Sequence, residues 1–230
     1  VTTRPMALCE DHLPAGAPAV FLPAAVRALY VASGSVRVAD AAGSRWLPAG
    51  TGWVGDGEVT LSADADARLW RWEVDAPVQD GTSPEVDPAR HLLRSAPQCR
   101  SELLLGTLVD LDERFSWLLR CDTVTFPPGG VAHTHLHQGP GLRVVESGSL
   151  VIETEGTART YRPGQAWAEK GVLPVRAPSD AETGAVFVRG FLLPAQNLGT
   201  SSLRIVHAED RAAGNTQSYR VLAEQVLIGR

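Results

Sequence analysis

At 230 residues the chain can hold one large or two small domains with a true core, and its 44% apolar and 20% charged content is that of an ordinary soluble globular protein. The 26 acidic against 21 basic residues leave a net charge of −5 with no basic cluster to meet a phosphate backbone, which excludes nucleic acid as an expected partner. No run approaches the roughly 20 apolar residues of a membrane span. The start lacks a signal-type apolar stretch, and Cys9, Cys99 and Cys121 show no pairing pattern, so a cytoplasmic, reducing location is expected.

In chain order, the opening VTTRPMALCEDHLPAG reads as an exposed terminus, and residues 24–30 as a brief turn of helix. Elsewhere 22 glycines and 16 prolines punctuate short apolar stretches without sustained helical periodicity, the pattern of an all-β chain. Strands are expected at 28–38, 52–54, 59–62 and 68–74. A Pro-, Asp- and Gly-rich stretch over 75–93 reads as a linker, dividing a domain of residues 1–90 from one of residues 91–230. Beyond it, strands are expected at 102–111, 115–126, 132–137, 142–153, 157–161, 165–169 and 185–193. The tail from 201 adds two strands around a polar turn at 211–217.

Sliding the chain on itself exposes a repeat. At an offset of 114 residues, VASGSVRV falls on VESGSLVI, so Gly34 meets Gly148. In the same register Arg45 meets Arg159, Gly50 meets Gly164 and Trp53 meets Trp167. Two copies of one β unit are therefore expected.

The chemistry is concentrated in GGVAHTHLHQGPGLRVVESG, where His133, His135 and His137 alternate with single residues. On an extended strand residues i, i+2 and i+4 share a face, so three imidazoles would line one side. Neutral imidazoles held on a rigid strand are suited to a divalent metal. In the first copy the positions of His135 and His137 are occupied by Phe21 and Pro23, so one site is expected, in the second copy. Of the other histidines, His12 lies near Cys9 and Asp11 in the opening segment, while His91 and His207 are isolated and read as structural.

The pattern resembles the cupin superfamily, whose first motif runs Gly, five residues, His-x-His, three or four residues, Glu, six residues, Gly. Here Gly129, His135, His137 and Gly148 keep those spacings, and Gly141 stands in place of the Glu. The second motif of the family opens at a Pro-Gly turn, seen as Pro163-Gly164, and closes on a histidine whose place falls at Val175. The resemblance implies two cupin-like barrels, each a double-stranded β-helix or jelly roll, with the N-terminal one degenerate. It also implies a divalent ion, Fe, Zn, Ni or Mn, on His135 and His137.

Two imidazoles hold a catalytic ion weakly, so a third ligand is sought among His133, Gln138 and Glu169. His133 shares parity with the pair, although i to i+4 spans ~13 Å of strand. Arg143 shares parity with Gly141 and could clamp a substrate carboxylate, or else pair with Glu146 or Glu153. Trp167 and Trp117 could wall the pocket or belong to the core, and the missing side chain at Gly141 would leave room beside the metal. The expected function is a small-molecule metalloenzyme, oxygenase-like, in which Arg143 orients an anionic substrate. The alternatives are a metal-assisted isomerase or lyase with Glu169 moving a proton, and a non-catalytic small-ligand-binding bicupin. A homodimer is expected.

Overall fold

The computed structural model describes residues 1–78, 86–91, 93, 96 and 98–229. Its first nine strands are β1 (Thr2–Leu13), β2 (Val20–Leu22), β3 (Val26–Ser33), β4 (Ser35–Asp40), β5 (Gly43–Pro48), β6 (Gly52–Gly55), β7 (Val59–Ser62), β8 (Ala67–Val74) and β9 (Arg100–Leu111). The second set is β10 (Trp117–Phe126), β11 (Val131–Leu136), β12 (Gly141–Gly148), β13 (Leu150–Thr154), β14 (Thr157–Tyr161), β15 (Ala166–Glu169), β16 (Val175–Pro178) and β17 (Ala185–Pro194). Two further strands, β18 (Arg204–Ile205) and β19 (Ser218–Ile228), flank the short helix α1 (Ala208–Ala213). No helix among the described residues is long and apolar enough to cross a membrane.

The duplication is explicit in the sheet orders. A five-stranded sheet β6-β3-β8-β1-β9 faces a four-stranded sheet β2-β7-β4-β5, and the second half repeats this with β15-β12-β17-β10-β19 facing β14-β13-β16-β11-β18. Both halves are antiparallel jelly-roll barrels. At Gly34 and Gly148 the chain crosses from one sheet to the other with φ of +77° and +68°. An added Cβ would lie 2.5 Å from the Asp66 carbonyl at the first and 2.1 Å from the Gly184 carbonyl at the second, so both corners need glycine. That crossing splits each of the expected strands 28–38 and 142–153 in two.

Period-two alternation explains why the strands of the two sheets that face each other across the joint, β6-β3-β8-β1-β9 and β15-β12-β17-β10-β19, look uniformly apolar. In β3 and β8, Ala28, Tyr30, Trp70 and Trp72 point out of the first barrel into a core shared with the second, while Leu29, Val31 and Leu69 point into the barrel itself. In the second half Leu119, Cys121, Leu142, Val144 and Val188 face the shared core, and Val124, Val145 and Phe187 face the inside. A strand buried on both faces carries no polar alternation. The barrels are joined by Trp72, fully buried, whose Nε1–H donates to the Leu142 carbonyl at 3.0 Å.

Several expectations are corrected here. The opening segment is a core strand, with Met6, Leu8 and Asp11 buried, and not an exposed terminus. Residues 26–33 form β3 in place of a helical turn, because Leu29 and Val31 fill one face and Ala28 and Tyr30 the other. Strand β9 lies within the expected 91–230 domain, yet it hydrogen-bonds along β1 and completes the first barrel's sheet. Of the expected linker, residues 79–85 and 92 lie outside the described residues. His91 and Leu93 from its end are buried against the first barrel.

The described residues of the first barrel form a hydrophobic core. Leu13, Val20, Leu22, Leu29, Leu47, Trp53 and Leu61 pack its interior. One polar cluster is buried there, in which Arg71 bonds Asp11 at 2.6 and 3.0 Å and Glu73 takes Arg27 at 2.7 Å and His91 at 2.8 Å. All three cysteines are free and buried.

Candidate functional site

The second barrel keeps a cavity of about 150 Å³ between its sheets. Its apolar wall includes Val124, Ala132, Ile152, Val175 and Phe187, and its polar end is His135, His137, Arg143, Glu169 and Arg189. The tail contributes Ser202, Asn215 and Gln217.

His135 pairs with Val175 on β16, the position at which the cupin pattern would place a fourth histidine. Its Nδ1 lies 2.7 Å from the His133 carbonyl, which can only accept, so Nδ1 carries the proton and Nε2 is left as an acceptor. His137 stands just past the end of β11, fixed by its backbone N–H to the Gly171 carbonyl at 2.8 Å. Its Nδ1 is 3.2 Å from Ser202 Oγ, and its Nε2 is 3.3 Å from Arg189 Nη1. A guanidinium only donates, so Nε2 accepts and Nδ1–H donates to the serine. Burial lowers the pKa of both rings, and for His137 the charge of Arg189 lowers it further, so both are neutral.

Arg143 and Arg189 are register partners on β12 and β17, and Asp122 on β10 is the partner of Arg189 on its other side. Arg189 donates through Nε and Nη2 to the two oxygens of the fully buried Asp122, at 2.6 and 3.0 Å. Arg143 is 1% exposed; its Nη1 donates to the Gly141 carbonyl at 2.6 Å and its Nη2 lies 2.8 Å from Glu169 Oε2. Burial lowers Arg143 to about 10, with Glu169 opposing the shift, and it remains charged at neutral pH. The other Glu169 oxygen accepts from Trp167 Nε1 at 2.8 Å. The contact between Arg143 Nη2 and Glu169 Oε2 is an ion pair whose angles make no hydrogen bond, so both atoms are buried without a directional partner.

Four of the residues singled out from sequence therefore meet: His135, His137, Arg143 and Glu169, with Trp167 as both core and cavity wall. Glu169 stands directly opposite Gly141 in the β12–β15 pairing, so it comes to the missing carboxylate's place from the next strand. His133 is not among them. The pairing of β11 with β16 slips between Ala132 and His135, a bulge that breaks the shared parity, and His133 Nδ1 instead lies 3.2 Å from Asp210 of α1. Gln138 does not line the cavity, and Trp117 packs in the shared core. Arg143 pairs with neither Glu146, which accepts from Tyr30, nor Glu153, which is bound to Arg176. The space at Gly141 is not vacant, since a Cβ there would lie 2.2 Å from Phe191 Cβ.

Arg189 and Asp122 were missed. The signal was present: the lone Arg189 inside AVFVRGFLLP, and Arg120 and Asp122 inside WLLRCDTVTF, are charges in otherwise apolar strands that could be buried only by pairing.

The donor set does not fit a His-bound divalent ion. Among the described residues no three His, Cys, Asp or Glu side chains converge as metal donors. An ion about 2.1 Å from His137 Nε2 would displace or crowd the Arg189 guanidinium, which is 3.3 Å from that atom. Glu169 is likewise engaged by Arg143.

No family profile and no curated protein matches the sequence. Solved structures do match. AerE from Microcystis aeruginosa aligns at 11% identity over 82% of this chain and 88% of that one, with a TM-score of 0.57. An oxalate decarboxylase from Bacillus subtilis, solved as a point mutant, aligns at 14% identity over 85% of this chain and 72% of that one, with a TM-score of 0.56. A cupin 2 conserved barrel domain protein from Leptotrichia buccalis aligns at 11% identity over 82% of this chain and 83% of that one, with a TM-score of 0.47. The likeness is one of architecture: this chain has the cupin fold, as a bicupin of two jelly-roll barrels.

Proposed function

We propose that this bicupin binds a small molecule and that the C-terminal barrel is its working half. The observation that carries this reading is the contrast between the two interiors. Leu29, at the repeat position of Arg143, belongs to the hydrophobic core of the first barrel, whereas the second barrel keeps a cavity with five buried polar side chains at one end. Both barrels bury charged groups, at a cost of several kcal/mol unless they are paired; in the first they are matched among Arg71, Asp11, Glu73, Arg27 and His91, whereas in the second they border a cavity.

Mn(II) centres are named for Bacillus subtilis oxalate decarboxylase, which shares the fold at 14% identity. An oxygenase-like reaction, or a metal-assisted isomerisation or lyase reaction, would need such an ion beside His135 and His137, where Arg189 and Arg143 already engage the neighbouring donors. The ligand-binding alternative needs none.

The test uses the full chain purified without a histidine tag. A panel of small polar molecules is screened by thermal shift against the parent and against Ala132→Trp, which fills the cavity. Ligands that raise the parent's melting temperature should lose their effect in the variant. Shifts of equal size in both proteins would move the site elsewhere, and one metal ion retained per chain through gel filtration would restore the metalloenzyme reading.

A further inference from the structure

Resting on that reading of the cavity, we infer that its ligand is a small neutral ring compound carrying one hydroxyl, of the phenol class, with the hydroxyl donating to His135 Nε2 and no metal between.

The charges at the polar end are already spent on one another. Arg143 Nη1 donates to the Gly141 carbonyl and its Nη2 lies 2.8 Å from Glu169 Oε2, while the other Glu169 oxygen accepts from Trp167. Arg189 gives Nε and Nη2 to Asp122 and Nη1 to His137, whose Nδ1–H goes to Ser202. Two guanidiniums thus answer two carboxylates, and the cluster is neutral. A carboxylate or an ammonium entering here must break one of these pairs or stay unpaired in a dry site. A charged ligand is therefore disfavoured.

His135 is the exception among these side chains. Its Nδ1–H is committed to the His133 carbonyl, so Nε2 carries a lone pair. That atom has no hydrogen-bond partner among the described residues and yet is not sealed in, on a side chain that is 6% exposed and lines the cavity. An imidazole lone pair selects a neutral donor, and the acidic O–H of a phenol forms a stronger bond than a neutral N–H.

The remaining walls fix the body of the molecule. Trp167 and Phe187 stand edge to face with centroids 5.2 Å apart, and Phe126 lies 6.0 Å from Phe187. All three rings line the cavity together with Ile152 and Val175. Such a surround favours a further ring, which gains both area burial and edge-to-face contact. The volume of about 150 Å³ is that of an apolar cavity able to hold one benzene.

The experiment is isothermal titration of the chelator-treated full chain at neutral pH with phenol, toluene, anisole, benzoate and benzylamine. Toluene keeps the shape of phenol without the hydroxyl, and anisole keeps the oxygen without its proton. Phenol should bind at least tenfold more tightly than any of the other four. His135→Leu should bring phenol and toluene within about twofold of each other, whereas a general loss of structure would weaken both alike. Should that variant fail to fold, the phenol-to-anisole ratio in the parent decides alone. Equal affinity for phenol and toluene overturns the inference, as does phenol binding that needs added Mn(II) or Zn(II), or no binding by any neutral probe. If benzoate or benzylamine binds more tightly than phenol and Ala132→Trp abolishes it, the neutral assignment is overturned and the cavity remains a site. Phenol binding that survives Ala132→Trp overturns the reading of the cavity itself.

Discussion

Arg189 Nη1 and His137 Nε2 face each other across 3.3 Å, the first from β17 and the second from just past the end of β11 in the opposing sheet. The guanidinium thus holds the imidazole lone pair that a metal would take in a His-x-His motif. Its own charge is balanced from behind by Asp122, so a fixed organic cation occupies the centre of the barrel.

The Arg189–Asp122 pair should dominate the stability of the second barrel. Arg189→Leu leaves Asp122 buried and unpaired, and a loss of about 3–5 kcal/mol is expected from denaturant unfolding. Arg189→Leu combined with Asp122→Leu should recover most of that loss. A double variant no more stable than the single one would mean that the cost arises from packing and not from the orphaned charge.

Acid should weaken the first barrel through Glu73. Burial pushes this carboxyl up, but the His91 hydrogen bond and the charges of Arg71 and Arg27 outweigh it and hold the group well below the usual carboxylate range. A folded value below the unfolded one, about 4.3, means the stabilisation is fully present above that pH and is lost as pH falls below it. Glu73→Gln should lower the melting temperature at neutral pH and flatten its fall below about pH 4. An acid limb equally steep in the variant would assign the effect to other carboxylates.

The joint between the barrels should be intolerant of a single methyl. A Cβ on Gly190 would lie 2.5 Å from the Trp72 ring, which is held by its bond to the Leu142 carbonyl. Because the indole cannot turn away without losing that bond, Gly190→Ala should cost about 1–3 kcal/mol. Equilibrium unfolding measures this, and a neutral result would show that the interface relaxes.

Placing a carboxylate at the Glu position of the cupin pattern should not create a metal site. Gly141→Glu places a Cβ 2.2 Å from Phe191 Cβ and 2.6 Å from the Gly190 carbonyl. The expected outcome is destabilisation by about 3 kcal/mol or more with no gain in bound metal, since overpacking and a buried charge act together. Elemental analysis showing a stoichiometric ion in a folded variant would refute the account of Arg189 given above.

Much of the fold was legible because it is written in local pattern. The glycines that turn corners, Gly34 and Gly148, and the matching Trp53 and Trp167 mark the duplication at one offset, and the alternating histidines mark the strand that faces the cavity. The strand β1 was misread because two of its charged residues, Glu10 and Asp11, resemble a solvated end. Asp11 is in fact wholly buried against Arg71, 60 residues away. His133 was misassigned because a parity argument assumes an unbroken strand, and the slip between Ala132 and His135 adds one residue.

Taken alone, the sequence determined an all-β chain in two related halves, with its chemistry beside His135 and His137, since alternation and corner glycines act between neighbours along the chain. Only the tertiary structure decided which charges share the cavity. Arg189 reaches His137 across 52 residues of sequence and Asp122 across 67, and such meetings depend on sheet order and register. In a dry interior those long-range pairings set the electrostatics of the site, because each buried charge must be matched by whichever strand lies next to it.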